Sequence, residues 1–254
     1  MNQAQEMYAL SMDQITQAIK SQLHLPEEDK NTLIIEGDNG CGKSSILKTL
    51  DAELPKHKAI YFDCTTKADA GDLMMPKFKD LDGNDYVTFA TNEELGVRLQ
   101  NPLNRLFQER YIGMNKLHPD TLVFATTNKG SEGLGDMFMP HTCNRVTFVR
   151  MRKPNNMEWI GWGINAGIHP TMLGWAKDNP QAFHSYEAYP DPDDCPYIFH
   201  PKAVGRRSFF TPRSGHKASN WLHQMPHLDD QTLTATLMGT IGDRCAMDLM
   251  AYVK

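Results

Sequence analysis

Gly37-Asp38-Asn39-Gly40-Cys41-Gly42-Lys43-Ser44 decides how this chain is read. The stretch satisfies G-x-x-x-x-G-K-[ST] at every fixed position, and its flanks supply the context that the pattern needs. Before it, Thr32-Leu33-Ile34-Ile35-Glu36 is a short apolar, β-branched run that reads as a buried strand. After it, Ser45-Ile46-Leu47-Lys48-Thr49-Leu50 opens a helix. A glycine-rich turn in that setting lets backbone N–H groups curl around phosphate oxygens, and the helix N-terminus adds the positive end of its dipole. The expectation is a nucleoside triphosphate site built from Gly37, Asp38, Asn39, Gly40, Cys41, Gly42, Lys43, Ser44 and Ser45. In it Lys43 reaches the β and γ phosphates and Ser44 holds Mg²⁺.

Composition sets the bounds. A chain of 254 residues is long enough to bury a sizeable core as one large domain or two smaller ones. Hydrophobic residues at 40% and charged residues at 22% are ordinary for a soluble globular protein. A net charge of −5 argues against a broadly basic surface, and so against nucleic acid as the partner. No apolar run is long enough to span a bilayer, and Met1 to Gln22 is broken by Glu, Asp and Lys where a secretory signal needs an apolar stretch. Five cysteines without a C-x-x-C pair point to reduced thiols and a cytoplasmic setting.

Along the chain, Met7 to Leu23 has the spacing of an amphipathic helix. Ala59 to Asp63 reads as a second strand, and Asp82-Gly83 as a hairpin turn between Phe78 and Phe89. Thr91 to Glu94 fits a capping box opening a helix through Leu99. Asn101-Pro102 caps the next helix, which carries Leu103, Leu106 and Phe107 on one face. Thr121 to Asn128 and Val146 to Val149 are further strands. Strands separated by helices predict a parallel, doubly wound α/β sheet. After Pro154 the pattern is helical over Met157 to Ile164, Pro170 to Lys177, Ser214 to His223 and Thr232 to Val253. The expected division is a nucleotide-binding domain over 1–154 and an all-α lid over 155–254. Trp159, Trp162, Trp175 and Trp221 are expected in the lid's core.

Three polar residues complete the expected site. Asn128 ends a strand at the carboxyl edge, where open α/β sheets bind ligands, and an asparagine there can orient an attacking water. Arg145 precedes a strand and Arg213 lies in the first turn of a lid helix. Arginine suits both places because it is always charged and forks onto phosphate oxygens. His223-x-x-x-His227 has helical metal-ligand spacing, but Pro226 interrupts it and no acid or cysteine joins it.

In order, these residues resemble the AAA+ ATPases, most closely the MoxR-like branch, from about Asn31 to Val253. Gly37 to Ser44 is similar to the Walker A loop. Asp63-Cys64-Thr65-Thr66 with Asp72-Leu73 is similar to the polar segment after the second strand. Asn101 to Arg110 is similar to the helix before sensor 1, Phe124 to Asn128 to the sensor 1 strand, and Thr211-Pro212-Arg213-Ser214 to sensor 2. The resemblance implies a P-loop NTPase sheet followed by a helical lid. It also implies ATP hydrolysis with Mg²⁺, chaperone-like remodelling of a protein substrate, and a homo-oligomeric ring, usually a hexamer. Asn144-Arg145 stands where an arginine finger enters the neighbouring site, and members often work beside a partner with a von Willebrand A-type domain. A small-molecule kinase with the same loop is the more distant alternative, since no acceptor-binding segment is visible.

One part of the pattern is missing. A Walker B strand, four apolar residues and then Asp-Glu, belongs between the helix after Thr91 and the helix at Asn101. There Arg98-Leu99-Gln100 runs straight into Asn101-Pro102. Tyr86 to Ala90 followed by Glu93-Glu94 is apolar and then acidic, but the capping box accounts for those glutamates. Three explanations stand open: a segment missing from the sequence as read, a deletion that leaves an ATP-binding assembly subunit without hydrolysis, or another acid in the role.

Overall fold

The computed structural model describes residues 8–61, 105–112, 115–128 and 143–253, and the backbone of 74–81 and 84–91. Its strands are β1 (Thr32–Gly37), β2 (Met74–Leu81), β3 (Asn84–Thr91), β4 (Tyr111–Ile112), β5 (Asn115–Lys116), β6 (Phe124–Asn128) and β7 (Val146–Met151). Its helices are α1 (Met12–Ser21), α2 (Ser45–Glu53), α3 (Asn156–Asn165), α4 (Pro170–Asp178), α5 (Pro212–His223), α6 (Asp230–Ile241) and α7 (Asp243–Val253).

The β-branched run of β1 takes the middle of a three-stranded parallel sheet ordered β6-β1-β7. Its successive residues alternate between two covered faces. Leu33 and Ile35 pack with Ile15 and Ile19 of α1, Ile46 and Leu50 of α2, and Met151. Ile34 is fully buried on the other face. In this mixed α/β arrangement β6 and β7 lie on opposite sides of β1, so the chain after β1 leaves at a switch point of the sheet.

Helix α1 begins where Ser11 and Gln14 form a reciprocal capping box. Just before it, Leu10 lies beside β7, donating to the Arg150 carbonyl and accepting from the Arg152 N–H.

From α3 onward the described chain is helical around its own aromatic core. Phe210 is fully buried with ring centres 5.0 Å from both Trp175 and Phe183 and 6.3 Å from Trp159. Centres 4.5–7 Å apart in tilted and edge-on poses are the favourable geometry for aromatic pairs. Leu222, Leu237, Ile241 and Leu249 close the same core.

Several expectations are corrected. Ala59, Ile60 and Tyr61 form no strand; Ile60 and Tyr61 are exposed, and the rest of that predicted strand lies outside the described residues. Arg105–Glu109 is a single π-helical turn, with Phe107 buried and its carbonyl accepting from the Thr32 hydroxyl. The expected start of that element at Asn101, and the helix after Thr91, lie outside the described residues. The short β4–β5 pair has no periodic signal and was not expected. The single helix expected over Thr232 to Val253 is two helices, broken at Gly242, whose φ of 86° ends α6. Of the four tryptophans, Trp159 and Trp175 are in the core, but Trp162 and Trp221 are substantially exposed. The hairpin is present, β2 pairing antiparallel with β3 from Met74↔Thr91 to Leu81↔Asn84. Among the described residues no helix is long and apolar enough to cross a membrane.

Candidate functional site

The loop after β1 curls back over the end of its own strand. Lys43 is buried, and its ammonium donates to the carbonyls of Gly37 at 2.6 Å and Asp38 at 2.8 Å. Gly40 and Gly42 both have positive φ, 70° and 102°, which only glycine adopts at little cost. Ser44 sits at the start of α2 with no capping bond from its side chain, and both Ser44 and Ser45 are exposed. The N–H groups of a helix's first turn lack intrahelical acceptors, so the loop and the start of α2 together make an anion-binding end. Cys41 is buried under the loop, and burial pushes its thiol pKa up, so it acts as packing rather than as a thiolate.

The helical part reaches this loop directly. The Arg213 N–H donates to the Gly40 carbonyl at 3.3 Å. Thr211 caps α5, exchanging hydrogen bonds with Ser214, and packs its side chain on Gly40. Gly37 is equally close to β7: a Cβ there would sit 2.9 Å from the Met151 carbonyl oxygen. The loop is held between the sheet and α5.

Beside it opens a cavity of ≈ 400 Å³. Its floor is Gly40, Cys41, Gly42 and Ser45, and one wall is the start of α1 at Ser11 to Asp13. The opposite wall pairs Trp162 of α3 with His216 of α5, ring centres 5.5 Å apart and nearly edge-on. Glu158 and Arg152 close the base through a two-pronged ion pair of 2.6 and 2.7 Å. Hydrogen bonding between them raises the Arg152 pKa and lowers that of Glu158. A cavity of this size, with Trp159, Trp162 and Met151 beside polar groups such as Asp13, Arg213 and His216, can hold a small ligand.

The predicted residues separate cleanly. Gly37, Asp38, Asn39, Gly40, Cys41, Gly42, Lys43, Ser44 and Ser45 form the loop itself. Asn128 lies directly across from Gly37 in the β1–β6 register, beside the loop. Arg213 lines the cavity, exposed, with no side-chain hydrogen bond or ion pair among the described residues. Arg145 is elsewhere. Met151 is level with Gly37 and Val146 with Thr32, so Arg145 stands six residues back along β7, about 20 Å from the loop. There it donates to Gln108 at 2.6 Å.

Lys153, Arg152, Glu158 and His216 were not picked out by the sequence, and Trp162 was picked out only as core. Asn155-x-x-Glu158 is a readable capping box and would have fixed the start of α3. Nothing local marks Trp162 and His216 as neighbours, because they come from different helices. No protein-family model matches this chain, and no curated protein matches its sequence.

Proposed function

We propose that the chain binds Mg-ATP at the loop after β1, in the manner of an AAA+ ATPase of the MoxR-like kind, with the part after Pro154 as its lid. One observation carries this: the motif-bearing loop lends Gly40, Cys41, Gly42 and Ser45 to the lining of a cavity to which the helical part lends Trp162, Arg213 and His216. The phosphates belong at the loop and the start of α2, beside Lys43 and Ser44, and the base belongs in the cavity next to Trp162 and His216. ATP supplies the phosphoanhydride bond and Mg²⁺ neutralises the phosphate charge. In this reading Asn128 orients a water and Arg213 follows the phosphates from the lid. Arg145 is too far to serve its own site, which favours action on the neighbouring copy in a ring. Homo-oligomerisation, usually hexameric, protein remodelling and a von Willebrand A-type partner follow from the resemblance alone.

A second version, binding with little hydrolysis, is favoured by a specific observation. The three strands of the described sheet end at the site in Gly37, Asn128 and Met151, none of them an acid. Mg²⁺ at a nucleotide is ordinarily held by one or two carboxylates as well as the phosphates. Loss of a water-activating acid costs about 10²–10⁴-fold in rate. We therefore place nucleotide binding and lid closure first and turnover second.

Displacement of a fluorescent ATP analogue tests the assignment. ATP should compete well, and inorganic triphosphate, which lacks the base, more weakly. Equal competition by both would remove the base from the cavity. Phosphate release from Mg-ATP then separates the two versions, since brisk release would call for a water-activating acid, which the ends of the described strands do not supply.

A further inference from the structure

Lys153 lies between the end of β7 and the start of α3, in the connection from sheet to helices. Its side chain is 7% exposed and faces the equally buried carboxylate of Asp38, Nζ to Oδ2 3.6 Å. Its ammonium also donates to the His184 carbonyl at 2.9 Å. His184 follows the 3₁₀ turn Pro180–Phe183 of the helical part, and its ring stacks on Tyr189 and shares a 2.8 Å hydrogen bond with the tyrosine hydroxyl. One buried cation therefore touches both the glycine-rich loop and the lid.

Asp38 is the common element. Lys43 binds its carbonyl and Lys153 faces its carboxylate, so two lysines meet one loop residue. A phosphate entering the loop competes for Lys43 and changes the charge that Asp38 experiences. Its carboxylate answers to Lys153, which is anchored on the lid through His184. Removing one partner of a buried ion pair is costly, so this contact cannot be given up without consequence.

We propose that Lys153 is a positioning residue that ties the helical part to Asp38, so that occupancy of the loop is passed through His184, and through Phe183 packed on Phe210, to α5. The proposal rests on the nucleotide site described above. It differs from the Thr211–Gly40 contact, which is steric, in that it acts through charge.

The test compares Lys153→Gln, Lys153→Arg and the double variant Asp38→Asn/Lys153→Gln with the unaltered chain. Mg-ATP affinity is read by calorimetry and lid response by hydrogen exchange of the α5 amides with and without Mg-ATP. Lys153→Gln should bind Mg-ATP about 5–150-fold more weakly, the usual range of coupling between sites. Its α5 amides should lose the protection that Mg-ATP gives the unaltered chain, and Lys153→Arg should restore most of both. The double variant, which removes both charges of the pair, should be less impaired than Lys153→Gln. A folded Lys153→Gln protein with unaltered affinity and unaltered α5 protection overturns the proposal. Where Lys153→Gln does not fold, the double variant decides. Unaltered behaviour in it, or its own failure to fold, is equally fatal, the latter by showing a purely structural role. Absence of Mg-ATP binding by the unaltered chain would instead remove the nucleotide site, and this proposal with it.

Discussion

Thr211 lies so close to Gly40 that a Cβ on the glycine would stand 2.6 Å from the threonine hydroxyl oxygen. The threonine is the cap of α5, and two residues later the Arg213 N–H bonds the Gly40 carbonyl. The tip of the loop and the start of α5 are thus one contact surface. A ligand that reshapes the loop must move α5, and a displacement of α5 must reach the loop.

That contact separates two glycines that look alike in the sequence. Gly40→Ala and Gly42→Ala both force a left-handed backbone on alanine, at about 1–2 kcal/mol. Only Gly40→Ala also overlaps Thr211, since the space at Gly42 is open. Overpacking adds about 1–3 kcal/mol where neighbours cannot yield. Gly40→Ala should therefore lower the thermal midpoint more than Gly42→Ala, and equal losses would argue against the observed loop-to-α5 packing.

Arg145 provides a test of geometry over proximity in the sequence motif. At about 20 Å from the loop of its own chain, it should be dispensable for binding. Arg145→Ala should bind Mg-ATP with unaltered affinity yet lose whatever turnover the chain has. In mixtures proven to co-assemble, a Lys43→Ala chain should restore part of that turnover, because some interfaces then hold one intact Lys43 and one intact Arg145. Weakened binding in Arg145→Ala alone would place the arginine in its own site.

How much of this was readable from the residues differs by element. The strand-loop-helix unit was legible because a β-branched run, fixed glycines and a helix start are all local signals, and they occupy 32–53 as the sequence implies. The predicted strand at Ala59 was misjudged because an apolar run reports burial only when something covers it, and Ile60 and Tyr61 are uncovered. Trp162 looked like core because it stands one turn after buried Trp159, but it lines the cavity and remains substantially exposed. Lys153 was invisible as a site residue because its partners, Asp38 and His184, come from distant stretches that only the fold brings together.

His169 makes the stability of the helical part depend on pH. Its ring accepts the Thr171 N–H at the start of α4, its backbone N–H donates to the Ser219 hydroxyl, and its ring lies 5.0 Å from that of His223. Burial, and secondarily the charge of His223, lowers its pKa from the ordinary 6.5. The folded protein thus binds this proton less readily than the unfolded chain. The stability is present in full above about 6.5 and falls as pH drops through that value toward the lowered one. His169→Asn keeps a capping acceptor without a titrating group and should flatten the thermal midpoint between pH 7 and 5, whereas His169→Ala should cost about 1 kcal/mol at pH 7. A midpoint in the unaltered chain that does not fall in that interval would contradict the assignment.

The central claim is that the loop from Gly37 to Ser45 binds the phosphates of ATP, and titration calorimetry with Mg-ATP tests it most directly. The unaltered chain should bind one Mg-ATP per chain. Lys43→Ala removes the ammonium now held by the Gly37 and Asp38 carbonyls. It should abolish the binding heat while circular dichroism remains that of the unaltered chain. No heat with the unaltered chain, or the same affinity in a folded Lys43→Ala protein, would contradict the account.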